Sequence, residues 1–338
     1  MSLASPQGAR DLEVVPLRHY GRWLGAFIAI VAVAMIAHTI LSKIPTQTGQ
    51  QTCHLVNAVK RCSPVLVWRF SWNVVGQFFF TSEILHGLLL TLELTAIAMV
   101  IGIVLGAVIA VMRLSPNRLL SSTAWTYTWF FRGTPVLAQL VFWFNIHLLF
   151  PSVTIGVPFL PITFVHIDTI SVFTPFVAAI VGLGLNEGAY MSEIVRSGLI
   201  SVDEGQIEAA TSIGLTRAQT LRLVILPQAM RVTIPPTGNE VISMLKTSSI
   251  ASFISVLELF GVQGLISSAN YEIMPLLIVA SLWYIVFTTV LSVGQFYLER
   301  YFARGSLRTQ PLTPIQRIRR DLRGVALKMR TTRPAMSR

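Results

Sequence analysis

Long apolar segments constrain the fold of this chain more than any other feature. Windows of about twenty such residues, enough for a helix to cross the hydrocarbon core of a bilayer, occur at 23–41, 84–112, 125–150, 173–199, 238–260 and 275–297. Hydrophobic residues make up 53% of the 338 residues and charged residues 12%, which is about half the charged fraction of a soluble domain. We therefore predict an all-α integral membrane protein with six transmembrane helices.

Basic residues alternate between the connections that join these windows. They occur in 1–22, in the 113–118 turn, in the 200–235 loop and in 300–338, where 11 of the 26 Lys and Arg residues lie. The 42–83 loop departs from this alternation with Lys43, Lys60, Arg61 and Arg69, but a loop of that length need not have its side set by a few charges. Because Lys and Arg are retained on the cytoplasmic side, we predict a multi-pass protein of the cytoplasmic (inner) membrane with both termini inside. Nucleic-acid binding is the alternative for the basic tail, but the tail has little aromatic interleaving and follows a span directly. We predict no nucleic-acid partner. The external connections are then 42–83, 151–172 and 261–274.

The two cysteines, Cys53 and Cys62, both lie in the polar 42–83 loop. That number excludes a disulfide scaffold and a cysteine-based zinc site. If the loop faces an oxidising space, one disulfide closing a short loop is expected. Two free thiols are the alternative.

Small residues recur at four-residue spacing in two windows. Gly102, Gly106 and Ala110 lie in the second window, and Gly184 and Gly188 lie in the fourth. Such spacing lets helix backbones approach closely in lipid. It predicts packing in any helix bundle and indicates no particular function.

The segment 201–231 is polar, although apolar windows flank it on both sides. Ser201 and Glu204 fit a capping box, in which the Ser hydroxyl accepts from an early backbone amide and the Glu reaches back. This predicts a helix over 202–213. Gly214 then stands where the end of a helix favours a left-handed residue.

A second helix is predicted to start at Thr216, which forms another capping box with Gln219. We expect it to be interrupted at Pro227, because proline lacks the amide donor. The first helix is short and has a face of small side chains, since two alanines follow Glu208. It fits two roles equally well: insertion into a cleft on another protein, or an amphipathic connector on the bilayer surface.

A resemblance to a known family distinguishes between these roles. "GQIEAATSIG" at 205–214, followed by "LPQAMR" at 226–231, resembles the EAA loop of ABC-importer permease subunits. Three further stretches resemble the polar amino acid branch of that family, the binding-protein-dependent inner-membrane components. They are "FRGTPVLAQL" at 131–140, "AYMSEIVRSGL" at 189–199 and "NEVISMLKTSSIAS" at 239–252. The resemblance covers nearly all of 84–304.

The resemblance implies a fold and a mechanism. A five-helix type I importer permease core would occupy 84–304, with an extra transmembrane helix at 23–41, an external loop at 42–83 and a basic cytoplasmic tail at 305–338. The EAA helix would dock into a separate ATPase, whose ATP-driven closure moves two permease subunits between inward-open and outward-open states. The residues implied in this coupling are Gly205, Glu208, Ala209, Ala210, Gly214, Leu226 and Pro227.

The partners implied are cytoplasmic ATPase subunits, an external solute-binding protein, a second permease subunit (identical or a sister) and a polar amino acid substrate. The chain has no G-x-x-x-x-G-K-[ST] loop to cradle phosphates, and no HExxH or GxSxG motif. We therefore predict a non-enzymatic subunit without a cofactor or metal of its own, the ATP being bound by its partner. A secondary transporter or channel that needs no ATPase is the alternative. A membrane-anchored scaffold is a third class, which a charge at mid-membrane disfavours.

One ionisable residue inside a window marks a candidate binding site. Glu187 lies about 18 Å from the cytoplasmic end of the fourth window, near the bilayer midplane. Asn186 adjoins it and Tyr190 follows one turn later, so a carboxylate, an amide and a phenol could face an amino acid. The structural alternative is that Glu187 pairs with Lys246 or Arg132 and only holds the bundle together.

Further polar residues lie in the third, fourth and fifth windows. Lys246, Thr247 and Ser248 fall about midway along the fifth window, where they either line the path or hydrogen-bond to their own helix. Arg132 is interpreted as a contact near the inner interface and not as a ligand residue. The sequence also predicts a surface ion pair between Glu193 and Arg196, which are i,i+3 neighbours.

Overall fold

A computed structural model describes residues 20–41, 43–45, 51–56, 59–64, 66–68, 70–156 and 163–302. The described residues form two units that divide between Asn73 and Val74. The helices are α1 (Tyr20–Leu41), α2 (Trp72–Phe78), α3 (Ser82–Arg113), α4 (Arg118–Gly133), α5 (Val136–Phe144), α6 (Thr169–Val172), α7 (Pro175–Ile200), α8 (Glu204–Ser212), α9 (Arg217–Thr220), α10 (Leu226–Thr247), α11 (Leu259–Asn270) and α12 (Ile273–Phe302). The strands are β1 (Lys43–Pro45), β2 (Gln51–Val56), β3 (Val59–Pro64), β4 (Leu66–Trp68), β5 (Ser152–Gly156) and β6 (Thr163–Asp168). Short 3₁₀ segments cover Ile146–Leu148 and Ser248–Ile254, and a π-helical turn covers Leu221–Ile225.

The first unit combines α1 with two antiparallel strand pairs. α1 contains the whole predicted window 23–41. β1 pairs with β4 and β2 pairs with β3, so that the second pair is nested within the first. The β2–β3 register sets Cys53 opposite Cys62. Directly opposed strand positions lie within the Cα separation of a disulfide, and the disulfide itself stays a prediction.

Helices α3 and α7 run parallel to each other at the centre of the second unit. A Cβ at Gly106 would lie 2.5 Å from the Met191 Cβ, and a Cβ at Gly184 would lie 2.9 Å from Ile101 Cγ2. The predicted small-residue spacing is therefore confirmed as a site of close helix packing. The core around it consists of Leu94, Ala98, Met99, Leu140, Ala178, Ala179, Leu183, Met191, Met244, Ala251, Ile254 and Val256.

Two of the predicted windows are broken in the structure. The third window, 125–150, is divided between α4 and α5, because Pro135 has no amide donor and restricts the preceding residue to an extended conformation. Thr134 has φ −111° and ψ 145°. The fifth window, 238–260, crosses the end of α10, the 3₁₀ segment and the first turn of α11, where the helical path bends by 47°. Predicting each as one continuous helix was wrong.

A buried carboxylate stabilises this bend. Ser255 adopts a left-handed conformation with φ 66°, and Glu258 is fully buried. The Glu258 side chain accepts hydrogen bonds from the backbone amides of Phe260 (3.0 Å) and Gly261 (2.8 Å) and from the Tyr284 hydroxyl (3.1 Å). Glu258 thereby caps α11 and ties the bend to α12.

Among the described residues, α3 and α12 are long and apolar enough to cross a membrane. The bent pair formed by Arg217–Ile254 and Leu259–Asn270 is a third candidate. Val100 and Val104 on α3 and Val290 on α12 are each about 60% exposed, as suits a face in contact with lipid. Length and composition do not identify six separate spans within the described ranges, where polar residues interrupt α7 and the third window is split.

The polar segment 201–231 folds into short helices, as predicted, but its first helix starts later than expected. α8 begins after Asp203, and its N-cap makes no side-chain hydrogen bond. Ser201 instead donates its hydroxyl to the Gly198 carbonyl oxygen (2.7 Å). The predicted capping box of Ser201 and Glu204 is therefore wrong, because Ser201 belongs to the end of α7.

The end of α8 is a left-handed turn, as predicted. Gly214 has φ +84°. Its amide donates to the Thr211 carbonyl oxygen (3.0 Å), and the Leu215 amide donates to the Ala210 carbonyl oxygen (3.1 Å). This pair of bonds is the Schellman pattern, in which a residue with positive φ satisfies the last free carbonyl groups of a helix.

The second capping box is confirmed. The Gln219 amide lies 3.4 Å from Thr216 Oγ1, and the Thr216 amide donates to Gln219 Oε1 (2.9 Å). The predicted interruption at Pro227 is wrong, because α9 continues through the π-helical turn into α10. The proline is the second residue of α10, which directly follows the π-helical turn.

Candidate functional site

A cavity of about 580 Å³ opens in the second unit at the break between α4 and α5. α7 and α10 supply the rest of its wall. The lining residues are Arg132, Gly133, Thr134, Pro135, Val136, Asn186, Glu187, Tyr190, Glu240, Ser243, Met244 and Thr247. The cavity therefore gathers side chains from the predicted third, fourth and fifth windows.

Two amide side chains stabilise the break that forms the cavity. Gln139 Nε2 lies 2.9 Å from the Phe131 carbonyl oxygen and 2.7 Å from Thr134 Oγ1. Asn186 Nδ2 donates to the same Phe131 oxygen (2.9 Å) and lies 3.2 Å from Gln139 Oε1. The last carbonyl groups of α4 would otherwise lack partners. The Asn186 amide nitrogen thus holds α7 against the break.

Two carboxylates and one guanidinium line the cavity. Glu187 is 4% exposed, and its Oε1 has no hydrogen-bond partner among the described residues. Gly102 of α3 leaves room for this side chain, since a Cβ there would collide with it. Glu240 and Arg132 face the same space. An unpaired buried carboxylate is costly, so a cationic group of a ligand would stabilise it.

The ion pair considered for Glu187 is not found in the described part of the chain, where no salt bridge joins it to Lys246 or Arg132. Arg132 instead places its Cζ 5.2 Å from the centroid of the Tyr190 ring, a cation–π contact. Arg132 therefore belongs to the cavity and not to a separate contact at the interface. In the described residues, no cluster of His, Cys, Asp and Glu could hold a metal ion.

Four of the predicted site residues line the cavity: Asn186, Glu187, Tyr190 and Thr247. Lys246 is exposed and lies outside the lining. Ser248 is buried and donates its hydroxyl to the Leu245 carbonyl oxygen (2.8 Å). Successive helical residues point about 100° apart, so the neighbours of Thr247 face elsewhere.

Sequence reasoning missed Glu240, Ser243 and Met244 and misplaced Arg132. A signal for two of them was available, because Glu240, Ser243 and Thr247 follow the i, i+3, i+7 spacing of one helix face. Arg132 carries no comparable local signal. Its position in the cavity depends on the break at Pro135.

The predicted Glu193–Arg196 ion pair is confirmed at 2.7 Å. The predicted coupling residues are mostly accessible: Gly205, Glu208, Ala209, Gly214, Leu226 and Pro227 are exposed. Ala210 is 4% exposed and is buried within its own loop. Ile213, next to the turn, is 78% exposed. The described loop thus exposes the apolar side chain of Ile213 next to a surface made of small residues.

Comparison with known proteins identifies the class. The family described as "Binding-protein-dependent transport system inner membrane component" matches residues 102–304. The chain is 42% identical over 308 residues to the arginine transport system permease protein ArgU of Corynebacterium glutamicum, covering 90% of this chain and 88% of that protein. It is 37% identical over 234 residues to the L-cystine transport system permease protein TcyB of Bacillus subtilis, covering 69% and 92% respectively.

Solved structures agree with the sequence relatives. A crystal structure of an amino acid ABC transporter with histidines superposes with a TM-score of 0.57 at 34% identity, covering 68% of this chain and 98% of that chain. The MetNI methionine ABC transporter in an inward-facing conformation gives a TM-score of 0.52 at 20% identity, covering 66% and 97%, and shows a shared fold. The chain belongs to the binding-protein-dependent transport system inner membrane components, as a permease subunit of an amino acid ABC importer.

Proposed function

We propose that this permease imports a cationic amino acid and that the substrate binds in the cavity at the α4–α5 break. The observation that carries the proposal is the Glu187 carboxylate, which is buried in the lining with one oxygen unpartnered. Transporters place their sites near the bilayer midplane, which is the depth that the sequence predicts for Glu187. A cavity of about 580 Å³ is also within the usual size of a small-molecule site.

The charges of the lining fit an amino acid with a basic side chain. Such a substrate has one carboxylate and two cationic groups. The planar guanidinium of Arg132 suits a carboxylate, and Glu187 and Glu240 suit the two cations. Tyr190 and Thr247 add a ring face and a hydroxyl. The similarity to a protein named as an arginine permease supports the same substrate class.

We further propose that α8 docks into a separate ATPase and transmits its ATP-driven conformational change to the permease. Gly205, Glu208, Ala209 and Gly214 form the docking surface, with Ala210 supporting it from within the loop. Leu226 and Pro227, at the start of α10, are proposed to contribute to the same coupling. ATP is then bound and hydrolysed by the partner, and this chain needs no cofactor.

The complete importer has further parts in this proposal. An external solute-binding protein delivers the substrate, and a second permease subunit, identical or a sister, completes the pathway. The chain crosses the membrane six times, with α1 as the extra span, and both termini lie in the cytoplasm. Support comes from the alternation of basic connections and from the family.

Neutralising the buried carboxylate tests the site. Glu187→Gln keeps the shape of the side chain but removes its charge, so the purified importer complex should bind arginine at least about tenfold more weakly, the cost of losing a charged hydrogen bond. Binding is measured by calorimetry without the solute-binding protein, so that the affinity of that protein does not enter. Glu240→Gln should act in the same direction.

The matched control is Glu83→Gln, in the first turn of α3 and outside the cavity. It should leave arginine affinity unchanged. If Glu187→Gln and Glu240→Gln complexes assemble normally and bind arginine as tightly as the Glu83→Gln complex, the cavity is not the substrate site.

A further inference from the structure

A second cavity adjoins the first and shares part of its wall. It measures about 420 Å³ and is lined by Arg113, Trp125, Thr128, Trp129, Arg132, Gly133, Tyr190 and Glu193. Arg132, Gly133 and Tyr190 line both cavities. We propose that the second cavity is an exit compartment for the transported amino acid, in which Arg113 binds the substrate carboxylate. This inference rests on the proposed function of the first cavity.

The second cavity lies closer to the α8 end of the molecule. Glu193 follows Glu187 by six residues on α7, which at 1.5 Å per residue places it about 9 Å nearer to that end. Arg113 is the last residue of α3, and α3 runs parallel to α7. Both therefore lie on the side that the coupling loop occupies. A solute that leaves the first cavity toward the ATPase would enter the second.

The charges of the second cavity favour an anionic group. Glu193 accepts hydrogen bonds from Arg196 Nε (2.9 Å) and Nη2 (2.7 Å), so its charge is compensated by its own neighbour. Arg113 and Arg132 are then the guanidinium groups that face the space. A guanidinium binds a carboxylate with two parallel hydrogen bonds, and every amino acid presents a carboxylate, whatever its side chain.

Two tryptophans form an apolar side of the compartment. The rings of Trp125 and Trp129 are nearly parallel, with planes 9° apart and centroids 6.1 Å apart. Trp129 is 62% exposed. Such ring faces attract a basic side chain by cation–π interaction. The compartment thus offers a cation to the carboxylate and ring faces to the rest of a cationic amino acid.

The shared wall separates the two spaces and contains the Arg132–Tyr190 contact. The Arg132 Cζ lies 5.2 Å from the ring centroid. A carboxylate binds a guanidinium more strongly than an exposed ring does. The substrate carboxylate would therefore draw Arg132 off Tyr190 and open the wall, after which Arg113 accepts the carboxylate in the next compartment.

Replacing Arg113 tests the exit compartment in the assembled importer reconstituted in liposomes. Arg113→Gln should lower the maximal rate of arginine uptake about tenfold, the expected effect of losing one carboxylate–guanidinium contact. Arginine affinity of the purified complex should stay within about twofold, because the first cavity is intact. Arg113→Lys should recover most of the rate, since it keeps the charge.

The matched control is Arg118→Gln, an exposed arginine at the other end of the same turn and outside both cavities. It should change neither rate nor affinity. Equal uptake rates for Arg113→Gln and Arg118→Gln would overturn the proposal, and so would loss of arginine affinity in Arg113→Gln.

Varying the lipid composition of the liposomes distinguishes binding of the substrate in the second cavity from binding of a lipid headgroup there. The Arg113→Gln deficit should be the same in liposomes of phosphatidylcholine alone and in liposomes that also contain phosphatidylglycerol. A deficit that occurs only with phosphatidylglycerol would mean that the cavity holds an anionic headgroup, and the exit compartment would be rejected. Failure of the first site is read from a different quantity, arginine affinity in Glu187→Gln.

Discussion

At the scale of single residues, backbone geometry dictates the identity of Gly214. Its φ of +84° lies in the left-handed region, which costs an ordinary residue roughly 1–2 kcal/mol. A Cβ at this position would meet no atom within 4 Å. Crowding is therefore no obstacle, and any effect of a substitution reports on the turn that ends α8.

Because steric crowding is absent at Gly214, a matched pair of substitutions tests its backbone conformation alone. Gly214→Val should distort the turn and uncouple transport, because a β-branched residue is strained at positive φ. Gly214→Asn should retain most of the function, because asparagine tolerates this conformation. Arginine uptake and substrate-stimulated ATPase activity are measured in the complex. If Gly214→Val retains both activities, α8 is not the coupling helix.

At the scale of elements, the packing of the second unit depends on the approach of α3 to α7. A Cβ at Gly106 would lie 2.9 Å from both the Met191 carbonyl carbon and the Ser192 amide nitrogen. Backbone atoms cannot turn aside as a flexible side chain can, so the helices would have to separate. The same helix pair carries Gly102 against Glu187, and separation would therefore also disturb the first cavity.

Gly106→Ala should destabilise the detergent-purified protein by about 1–3 kcal/mol, the usual cost of overpacking. Gly294→Ala in α12 is the matched control, because nothing lies within 4 Å of a Cβ there. The control should be neutral or slightly stabilising, since alanine favours a helix. The unfolding temperatures of the two variants are compared by heating each and measuring the remaining folded protein by size-exclusion chromatography. Equal unfolding temperatures would contradict the packing argument.

At the scale of the whole molecule, the proposed mechanism requires the α8 loop and the β5–β6 hairpin to face opposite sides of the membrane. Cys53 and Cys62 are first replaced by serine. Ser212→Cys should then react with a membrane-impermeant thiol reagent only in inverted vesicles, and Val153→Cys, in β5, only in right-side-out vesicles, as basic connections stay inside. Labelling of Ser212→Cys from the external side would place α8 beyond the reach of any cytoplasmic ATPase.

The relation to ArgU extends beyond the permease core. The core predicted from the EAA resemblance, 84–304, contains 221 residues, whereas the similarity to ArgU spans 308 residues of alignment. The relationship therefore includes residues outside that core, in the N-terminal region, the tail or both.

The helices that are continuous and apolar along their length were predictable from hydropathy alone. The second and sixth windows, 84–112 and 275–297, lie within α3 and α12 and differ from them by a few residues at each end. The break at Pro135 was missed, because hydropathy does not register a lost amide donor. Glu187 was predicted because a carboxylate in an apolar helix is visible locally, whereas Glu240, two residues from the start of the fifth window, was not predicted.

The amino-acid sequence alone established the membrane class, the family and the turn at Gly214, since apolar length, motif order and backbone conformation are properties of short segments. The tertiary structure alone decided that Arg132, Glu187 and Glu240 share one cavity. These residues lie more than fifty positions apart along the chain and come from three different helices. Their proximity depends on the packing of α4 and α10 against α7 and on the break after α4, and neither is expressed in the local pattern of any of the three.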